Sequence, residues 1–321
     1  MKKPRILFMG TAPFALPALA LLIEQTYPLV GVVTQPDRPR GRGLAVVPSP
    51  VKVFAMEHRL AVYQPERLQE EGFLAIFREL APDMIVLAAY GQLLTREIID
   101  RQLLGCLNIH PSLLPKYRGA APINWAIING EKETGVTIIK MAVELDAGDI
   151  VLQDRVPIGA DELCDHLHDR LARRGAELLV QAIEMTVNGK ARPFPQDGTA
   201  ATYAPRLRKE DGLIRWERGA AEIVNLVRGL SPVPGAYTFL DGKMLKILAA
   251  RRETGDTSGV PAGTIVREGP ELRVAAAGDW VRLIDVQLEN KKRMSLKDFL
   301  RGYQVRSGTV LGIRGRVTDG S

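Results

Sequence analysis

Residues 104–119, LGCLNIHPSLLPKYRG, are the stretch around which the rest of the chain is organised. The run 105–109 has the composition of a short buried strand, interrupted by one amide, Asn108. Pro111 keeps His110 extended, so Asn108 and His110, two residues apart, leave the same face of the strand. An amide donor beside an imidazole suits stabilisation of a developing oxyanion while a proton moves. The alternative is a buried, hydrogen-bonded Asn beside a helix-capping His.

Composition indicates an ordinary soluble globular protein. The chain has 321 residues, 46% of them hydrophobic and 25% charged, which is enough for one large domain or, as we expect, two. The only N-terminal apolar run, residues 6–9, is too short for a signal peptide or a membrane span. Two cysteines, Cys106 and Cys164, form neither a disulfide framework nor a cysteine zinc site. We therefore expect a cytoplasmic protein with no membrane segment and no metal.

Charge is unevenly distributed along the chain. Residues 201–321 hold 21 Lys+Arg and 14 Asp+Glu, a net charge of +7, whereas residues 1–200 have a net charge of −1. A basic C-terminal part indicates a polyanionic partner. The alternative is an ordinary solvated basic face.

The first half of the chain shows the pattern of an α/β fold. A strand, a helix and a second strand open it as a βαβ unit, an apolar run has the composition of a central parallel strand, and a hairpin precedes a long amphipathic helix. These elements are predicted at 5–9, 14–25, 29–34, 83–90, 135–143 with 150–157, and 161–187. We predict a Rossmann-like, doubly wound, mostly parallel sheet. The turn GTAPFALP lacks the later glycines of GxGxxG, so a nicotinamide enzyme is not supported.

The segment 35–50, QPDRPRGRGLAVVPSP, is rich in proline, glycine and arginine. We expect it to lack regular structure, and loops of this length are usually functional or disordered. Arg38, Arg40 and Arg42 stand at alternate positions, where guanidinium groups suit phosphate binding. The alternative is a flexible solvated loop.

The second half is predicted to form a smaller β domain. Residues 190–208 have the composition of a linker between a catalytic domain at 1–189 and a C-terminal domain at 209–321. Beyond the linker, a helix at 220–230 and about five short strands separated by turns indicate a small, OB-like β-barrel.

Three sequence blocks resemble the methionyl-tRNA formyltransferase family. The first is NIHPSLLPKYRGAAPINWAI at 108–127, and the second is ETGVTIIKMAVELDAGDI at 133–150. The third combines TQPDRPRGRG at 34–43 with PSPVK at 48–52. The first two blocks are shared with other folate-dependent formyltransferases, whereas the third, with GLSPVPGAY at 229–237, points to the initiator-tRNA enzymes.

The resemblance implies transfer of a formyl group from 10-formyltetrahydrofolate to the methionine amine of initiator methionyl-tRNA, with no metal, by a protein we expect to be a monomer. Its catalytic trio falls on Asn108, His110 and Asp146. The implied folate contacts are Ser112, Leu113, Leu114, Pro115, Tyr90 and Gly91. The implied tRNA contacts are Arg38, Arg40, Arg42, Arg208 and Lys209. Leu44-Ala45-Val46 replace lysines common in the family, which makes this loop less basic.

The trio suits the implied chemistry. Asn108 and a protonated His110 are donors for the oxygen that becomes negative, each worth roughly 3–4 kcal/mol. Asp146 beside His110 would fix the imidazole tautomer and favour its charged form. Without the resemblance, Asp146 is better explained as a turn aspartate that caps the DAGD bend.

Two other functions remain open at the level of sequence. A formyltransferase acting on a nucleotide-sugar or ribonucleotide amine would share the trio but would not need the arginine loop or the basic C-terminal part. A non-catalytic tRNA- or RNA-binding protein is the other, although a pure binder has no use for the trio.

Overall fold

The computed structural model describes residues 2–40 and 45–312, and the side chains of Arg40 and Ala45 are not part of that description. The chain divides into two compact units. The first comprises Met1–Pro122, Glu133–Pro157 and His168–Ala204, and the second comprises Ile123–Lys132, Ile158–Leu167 and Pro205–Ser321. None of the described helices is long and apolar enough to cross a membrane.

The first unit is built on a seven-stranded sheet accompanied by two short strand pairs. Its strands are β1 (Ile6–Gly10), β2 (Leu29–Val33), β3 (Arg38–Arg40), β4 (Ala45–Val47), β5 (Val62–Tyr63), β6 (Met84–Ala88), β7 (Cys106–His110), β8 (Arg118–Gly119), β9 (Glu133–Lys140), β10 (Asp149–Pro157) and β11 (Tyr203–Ala204). The main sheet has the order β10-β9-β7-β6-β1-β2-β5. The five strands from β7 to β5 are parallel, and β9 and β10 add an antiparallel hairpin. This confirms the predicted mostly parallel, Rossmann-like sheet.

Six helices accompany these strands in the chain. They are α1 (Leu16–Glu24), α2 (Pro50–Glu57), α3 (Glu71–Leu80), α4 (Arg96–Asp100), α5 (Pro122–Ile128) and α6 (Cys164–Val187). Side-chain caps mark where two of these helices begin. Ser49 Oγ accepts a hydrogen bond from the Lys52 amide at the start of α2, and the Thr95 side chain accepts one from the Ile98 amide at the start of α4. β1 and β6 are buried along their whole length, as expected of central strands covered on both faces.

Part of the 35–50 segment is regular, contrary to expectation. β3 and β4 form an antiparallel pair with Arg38 opposite Val47 and Pro39 opposite Val46. The β-branched pair Val46-Val47 favours an extended strand, and a two-stranded ribbon accepts proline because each strand has a free edge. Arg42 lies outside the described residues.

The predicted linker is also more ordered than its composition indicates. Within the predicted linker, the residues up to Ala204 belong to the first compact unit, and β11 pairs with β8 in parallel. Phe194 exchanges two backbone hydrogen bonds with Ile150, of 2.9 and 3.1 Å. The part of the predicted linker from Phe194 to Ala204 is therefore paired near both ends to strands of the first unit.

The second unit carries an antiparallel sheet. Its further elements are α7 (Ala220–Leu230), β12 (Ala236–Leu240), β13 (Lys243–Glu253), β14 (Ile265–Glu268), β15 (Glu271–Ala275), β16 (Trp280–Leu288), β17 (Met294–Ser295) and α8 (Leu296–Gly302). The strand order is β12-β13-β16-β15-β14, and β17 pairs with β16. The Ile265 amide bonds to the Thr309 carbonyl at 2.8 Å, and the Phe239 amide bonds to the Gly312 carbonyl at 3.0 Å. Residues 309–312 thus bridge the two edge strands and close the sheet into a small barrel, whose OB-like classification stays a prediction.

Candidate active site

The site lies at the carboxyl ends of the parallel strands. The chain runs outward from β1 through β2 to β5, and then returns to place β6 and β7 on the other side of β1. In such open sheets, ligands bind in the crevice where the strand order reverses. Asn108 and His110 stand in β7, and His110 is the last residue of that strand.

His110 is anchored through one ring nitrogen and is only 4% exposed. Its Nε2 lies 2.9 Å from the carbonyl oxygen of Tyr117. Because a carbonyl oxygen only accepts hydrogen bonds, Nε2 must carry a proton and donate it. The other nitrogen, Nδ1, lies 3.6 Å from Oδ2 of Asp146, a distance longer than a hydrogen bond. Nδ1 is therefore the ring nitrogen left to interact with a substrate.

Asp146 projects from the loop 144–149 and is 7% exposed. Its Oδ2 accepts a hydrogen bond of 2.8 Å from the Gly119 amide. Its backbone φ is +50°, in the left-handed region that non-glycine residues rarely adopt and that occurs often at functional sites. At Gly148 a Cβ atom would lie 1.9 Å from the Lys140 carbonyl oxygen, so the tight return of this loop requires glycine. The loop therefore fixes the Asp146 carboxylate in place.

Asn108 is half-buried and stands between Leu87 of β6 and Ile139 of β9 in the strand register. It shares β7 with His110 at a spacing of two residues, which places both side chains on the same face. The structure thus brings His110 and Asp146 together and places Asn108 on the His110 face of β7, while the catalytic roles of the three residues stay predictions.

The segment Ser112–Pro115 is tied down by Thr137 of β9. Thr137 Oγ1 donates to the Ser112 carbonyl at 2.6 Å and accepts from the Leu114 amide at 3.2 Å. Gln153 adds a hydrogen bond of 2.9 Å to the Leu114 carbonyl. Ser112 Oγ donates to the Lys116 carbonyl at 2.7 Å. This segment is a rigid turn, and its role as a folate contact stays a prediction.

Tyr90 packs inside the core, and Gly91, which follows it, is exposed. The Tyr90 side chain is 3% exposed, and its hydroxyl has no hydrogen-bond partner among the described residues. Burial raises the pKa of this hydroxyl. The main-chain carbonyl oxygen of Tyr90 accepts a hydrogen bond of 2.9 Å from Thr11 Oγ1, which links the end of β6 to the end of β1.

A cavity of about 540 Å³ opens beside the loop that carries Asp146. It is lined by Arg96, Ile99, Asp100, Gln102, Gly105, Cys106, Lys140, Met141, Ala142, Val143 and Glu144. Burial raises the pKa of the Cys106 thiol in its wall to about 12, so this thiol stays protonated and is not a nucleophile at neutral pH. Sequence reasoning did not find this wall, because apolar residues at strand and helix ends give no local sign of lining a cavity.

Three more residues at the site were not predicted: Tyr117, Gly119 and Gln196. Tyr117 and Gly119 lie inside the block 108–127, yet they act through backbone atoms, which no side-chain pattern reveals. Gln196 donates to the carbonyl oxygens of Asp146 and Gly148, each at 2.7 Å. It lies in the predicted linker, so its sequence position gave no signal.

The arginine and lysine residues expected to contact tRNA are exposed where they are described. Arg38 forms a 3.8 Å ion pair with Glu66, with both side chains more than 60% exposed. Arg208 and Lys209 are exposed at the start of the second unit's main segment. Arg42 and the Arg40 side chain lie outside the described residues. Within the described part of the chain, no group of three or more His, Cys, Asp or Glu residues could hold a metal ion.

Comparison with known proteins identifies the family. A profile described as "Formyl transferase" matches residues 4–183, and one described as "Formyl transferase, C-terminal domain" matches residues 206–304. The chain therefore belongs to the formyl transferase family. The methionyl-tRNA formyltransferase of Syntrophus aciditrophicus is 51% identical over 314 residues, which cover 97% of this chain and 100% of that protein. That of Geobacter sulfurreducens is 47% identical over 316 residues, 98% of each. Within its family, the chain belongs with the methionyl-tRNA formyltransferases.

Solved structures share the fold at lower identity. A crystal structure of WlaRD, a sugar 3N-formyl transferase, in the presence of dTDP and 5-N-formyl-THF has a TM-score of 0.64 at 17% identity, covering 91% of this chain and 100% of that one. HypX from Aquifex aeolicus in complex with tetrahydrofolic acid has a TM-score of 0.63 at 19% identity, covering 93% of this chain and 47% of that one. At these sequence identities, the similarity of this chain to the two structures concerns the fold alone.

Proposed function

We propose that this chain transfers the formyl group of 10-formyltetrahydrofolate to the α-amino group of methionine on initiator methionyl-tRNA, for translation initiation. Relatives that carry this activity in their names are about half identical over nearly the whole chain, in both the N- and C-terminal parts. A nucleotide-sugar or ribonucleotide amine as acceptor is not favoured, because the sugar formyltransferase of similar fold is only 17% identical.

The observation that carries the proposal is the buried contact between His110 and Asp146. With Nε2 donating to the Tyr117 carbonyl, the imidazole cannot rotate without losing that hydrogen bond. Asp146 Oδ2 lies 3.6 Å from Nδ1. In the proposed reaction, a doubly protonated His110 presents Nδ1–H beside this carboxylate in a nearly water-free position, where hydrogen bonds to a developing charge are strong.

The reaction places negative charge on the formyl oxygen as the amine attacks. Asn108 and His110, through Nδ1, are the donors for that oxygen, and removal of one such donor typically costs about 10²–10³ in rate. As its new bond to carbon forms, the amine loses one proton, and the leaving nitrogen gains one as its bond to carbon breaks. Asp146 is the carboxylate placed to relay that proton, directly or through water.

The cavity that Glu144 of the Asp146 loop helps to line is the folate site in this proposal. Its volume of about 540 Å³ suits a small-molecule ligand. Ile99, Met141 and Val143 give it apolar walls, and Asp100 and Glu144 add carboxylates, a combination that suits a flat heteroaromatic ring bearing N–H donors. 10-Formyltetrahydrofolate has such a ring and supplies the activated formyl group. Ser112–Pro115 and Tyr90-Gly91 are the further proposed contacts.

Initiator tRNA is the proposed macromolecular partner. Residues 201–321 carry a net charge of +7, which suits attraction of a polyanion. Arg38, Arg40, Arg42, Arg208 and Lys209 are proposed phosphate contacts. The proposal includes a monomeric, cytoplasmic enzyme, and its two free cysteines are consistent with a reducing compartment.

A formyl-transfer assay with competing acceptors tests the proposal. Purified protein and 10-formyltetrahydrofolate would be offered initiator methionyl-tRNA, elongator methionyl-tRNA and an amino-sugar nucleotide in separate reactions. We expect formylmethionyl-tRNA with the initiator and little product with the other two. Preferential formylation of the amino sugar would overturn the assigned acceptor.

A further inference from the structure

The segment 194–204, called the strap here, runs alongside the catalytic groups of the first unit. It pairs with β10 through Phe194 and Ile150, and with β8 through Tyr203 and Ala204. At Gly119 of β8, a Cβ atom would lie 2.8 Å from the Ala204 carbonyl oxygen, so this close approach requires glycine. The strap is therefore fixed to the catalytic unit near both of its ends.

Within the strap, Gln196 makes hydrogen bonds with both ends of its amide. Its Nε2 donates to the carbonyl oxygens of Asp146 and Gly148, each at 2.7 Å. Its Oε1 accepts from Nε and Nη2 of Arg118 at 3.2 and 2.7 Å. An amide is suited to this position, because it offers two donors on one side and an acceptor on the other. A carboxylate would lose the donors and place negative charge beside two carbonyl oxygens.

Arg118 connects this contact to the carboxylate of Asp146. The Arg118 side chain is 8% exposed, and the next residue, Gly119, donates its amide hydrogen to Asp146 Oδ2. Asp146 is thus held at two points. Gln196 binds its main-chain carbonyl oxygen, and the amide of Gly119, which follows Arg118, binds its carboxylate. Two-point support matters here because the backbone of Asp146 is in the left-handed region, which it would leave without external contacts.

The strap also supports the partner of His110. Thr202 Oγ1 accepts a hydrogen bond of 2.9 Å from the Tyr117 amide, and the Thr202 carbonyl accepts one of 2.8 Å from the Arg118 amide. Tyr117 in turn supplies the carbonyl oxygen that receives Nε2–H of His110. Both members of the His110–Asp146 pair are therefore positioned by residues bonded to the strap.

We propose that Gln196 is a positioning residue for formyl transfer, which holds the carboxylate of Asp146 opposite Nδ1 of His110. This inference rests on the proposed function for its kinetic part. Gln196 does not touch the reacting atoms, and it acts only through Asp146. Displacement of a catalytic group by about 1 Å costs on the order of 10²-fold in rate, which sets the scale of the expected effect.

The kinetic test compares Gln196→Ala and Gln196→Glu with a control in the same strap. We expect kcat to fall roughly 10- to 100-fold in both variants, with KM for folate and for tRNA changed less than about twofold. Asp197→Ala, which removes a carboxylate that accepts local hydrogen bonds from Thr199 and Ala200 within the strap, should keep kcat within about twofold. An equal fall in the Asp197 variant, or a change confined to KM for tRNA, would overturn the proposal.

A double-mutant cycle separates positioning from general support of the fold. In an Asp146→Asn background, Gln196→Ala should lower the remaining rate less than about threefold, because residues that act as a unit are not additive. A full additional loss would show that Gln196 acts elsewhere.

Hydrogen–deuterium exchange provides a readout that does not depend on activity. Gln196→Ala should speed exchange in the loop 144–149 and leave β1 and β6 unchanged. Faster exchange in the loop would support the positioning role even if initiator methionyl-tRNA proved not to be the acceptor. Unchanged exchange in the loop would overturn that role, whatever the substrate.

Discussion

The imidazole of His110 donates from Nε2 to the carbonyl oxygen of Tyr117, 2.9 Å away, and thereby turns Nδ1 toward Asp146. This relationship assigns separate tasks to the two nitrogens. One anchors the ring to the turn after β7, and the other is available to the substrate. A side chain held in this way needs little reorganisation when charge develops beside it, which is the condition for strong electrostatic catalysis.

Replacement of Asp146 by Asn should be severe. The amide cannot support a charged imidazole, and it can favour the wrong tautomer by donating to Nδ1. We expect kcat to fall by on the order of 10²-fold or more, with the KM for tRNA little changed, as measured by steady-state formyl transfer. A modest fall comparable to that of an exposed surface variant would reduce Asp146 to a turn residue.

The arginines of 35–50 should act on tRNA and not on folate. Removal of a phosphate contact lowers affinity, so Arg42→Ala should raise the KM for tRNA and leave folate binding untouched. Lys2→Ala is a suitable control, because Lys2 is exposed at the amino-terminal edge of the sheet, opposite the carboxyl ends that form the site. If Arg42→Ala keeps both KM and kcat, the segment is an ordinary solvated connection.

Arg208 and Lys209 offer a test of the basic second unit. Removing one cation that binds a phosphate should flatten the plot of log affinity against log salt by roughly 0.7–0.9 units. The double variant Arg208→Ala, Lys209→Ala should therefore bind tRNA more weakly at low salt and with a shallower slope between about 50 and 200 mM salt. A slope equal to that of the wild type would mean that these cations are surface charges without phosphate partners.

A truncation near residue 196, inside the predicted linker, would not separate the two units cleanly. Such a cut would fall inside the strap and remove Thr202, Tyr203 and Ala204, which bond to the turn around Tyr117 and Arg118. It would therefore damage the catalytic unit as well as remove the basic part.

The thiol of Cys106 should be unreactive in the folded protein. Burial raises its pKa from 9.0 to about 12, so at pH 8 almost none of it is thiolate. The unfolded chain ionises first as the pH rises above 9, so this group lowers folding stability progressively between pH 9 and about 12. Site-resolved alkylation at pH 8 should label Cys106 only in denaturant. Rapid labelling of the native protein would show that the wall of the cavity opens.

Periodicity and local chemistry were sufficient for much of the fold. The predicted helix at 220–230 coincides with α7, because apolar spacing and the flanking turn residues are local signals. The all-apolar run of β6 and the hairpin of β9 and β10 were likewise predicted from local sequence. The helix predicted at 161–187 is slightly shorter, since α6 begins at Cys164.

Other features depend on contacts that no local pattern encodes. Gln196 bonds to the Asp146 carbonyl across 50 residues of sequence, and Thr202 bonds to Tyr117 across 85. β3 and β4 pair although proline and glycine dominate their segment, because pairing of the two strands outweighs intrinsic propensity. Asn108 and His110 could be predicted as a pair from the strand that carries them, whereas Asp146 could be predicted only because its sequence block resembles a known family.

The most direct measurement of the central claim is single-turnover formyl transfer to initiator methionyl-tRNA by the wild type, Asn108→Ala and His110→Ala. Both residues are proposed to act on the transition state, so each variant should transfer formyl at least about 10²-fold more slowly while binding tRNA with nearly unchanged affinity. A rate close to that of the wild type in either variant would remove that residue from the mechanism. If both variants retained the wild-type rate, the carboxyl end of β7 would not be the site of formyl transfer.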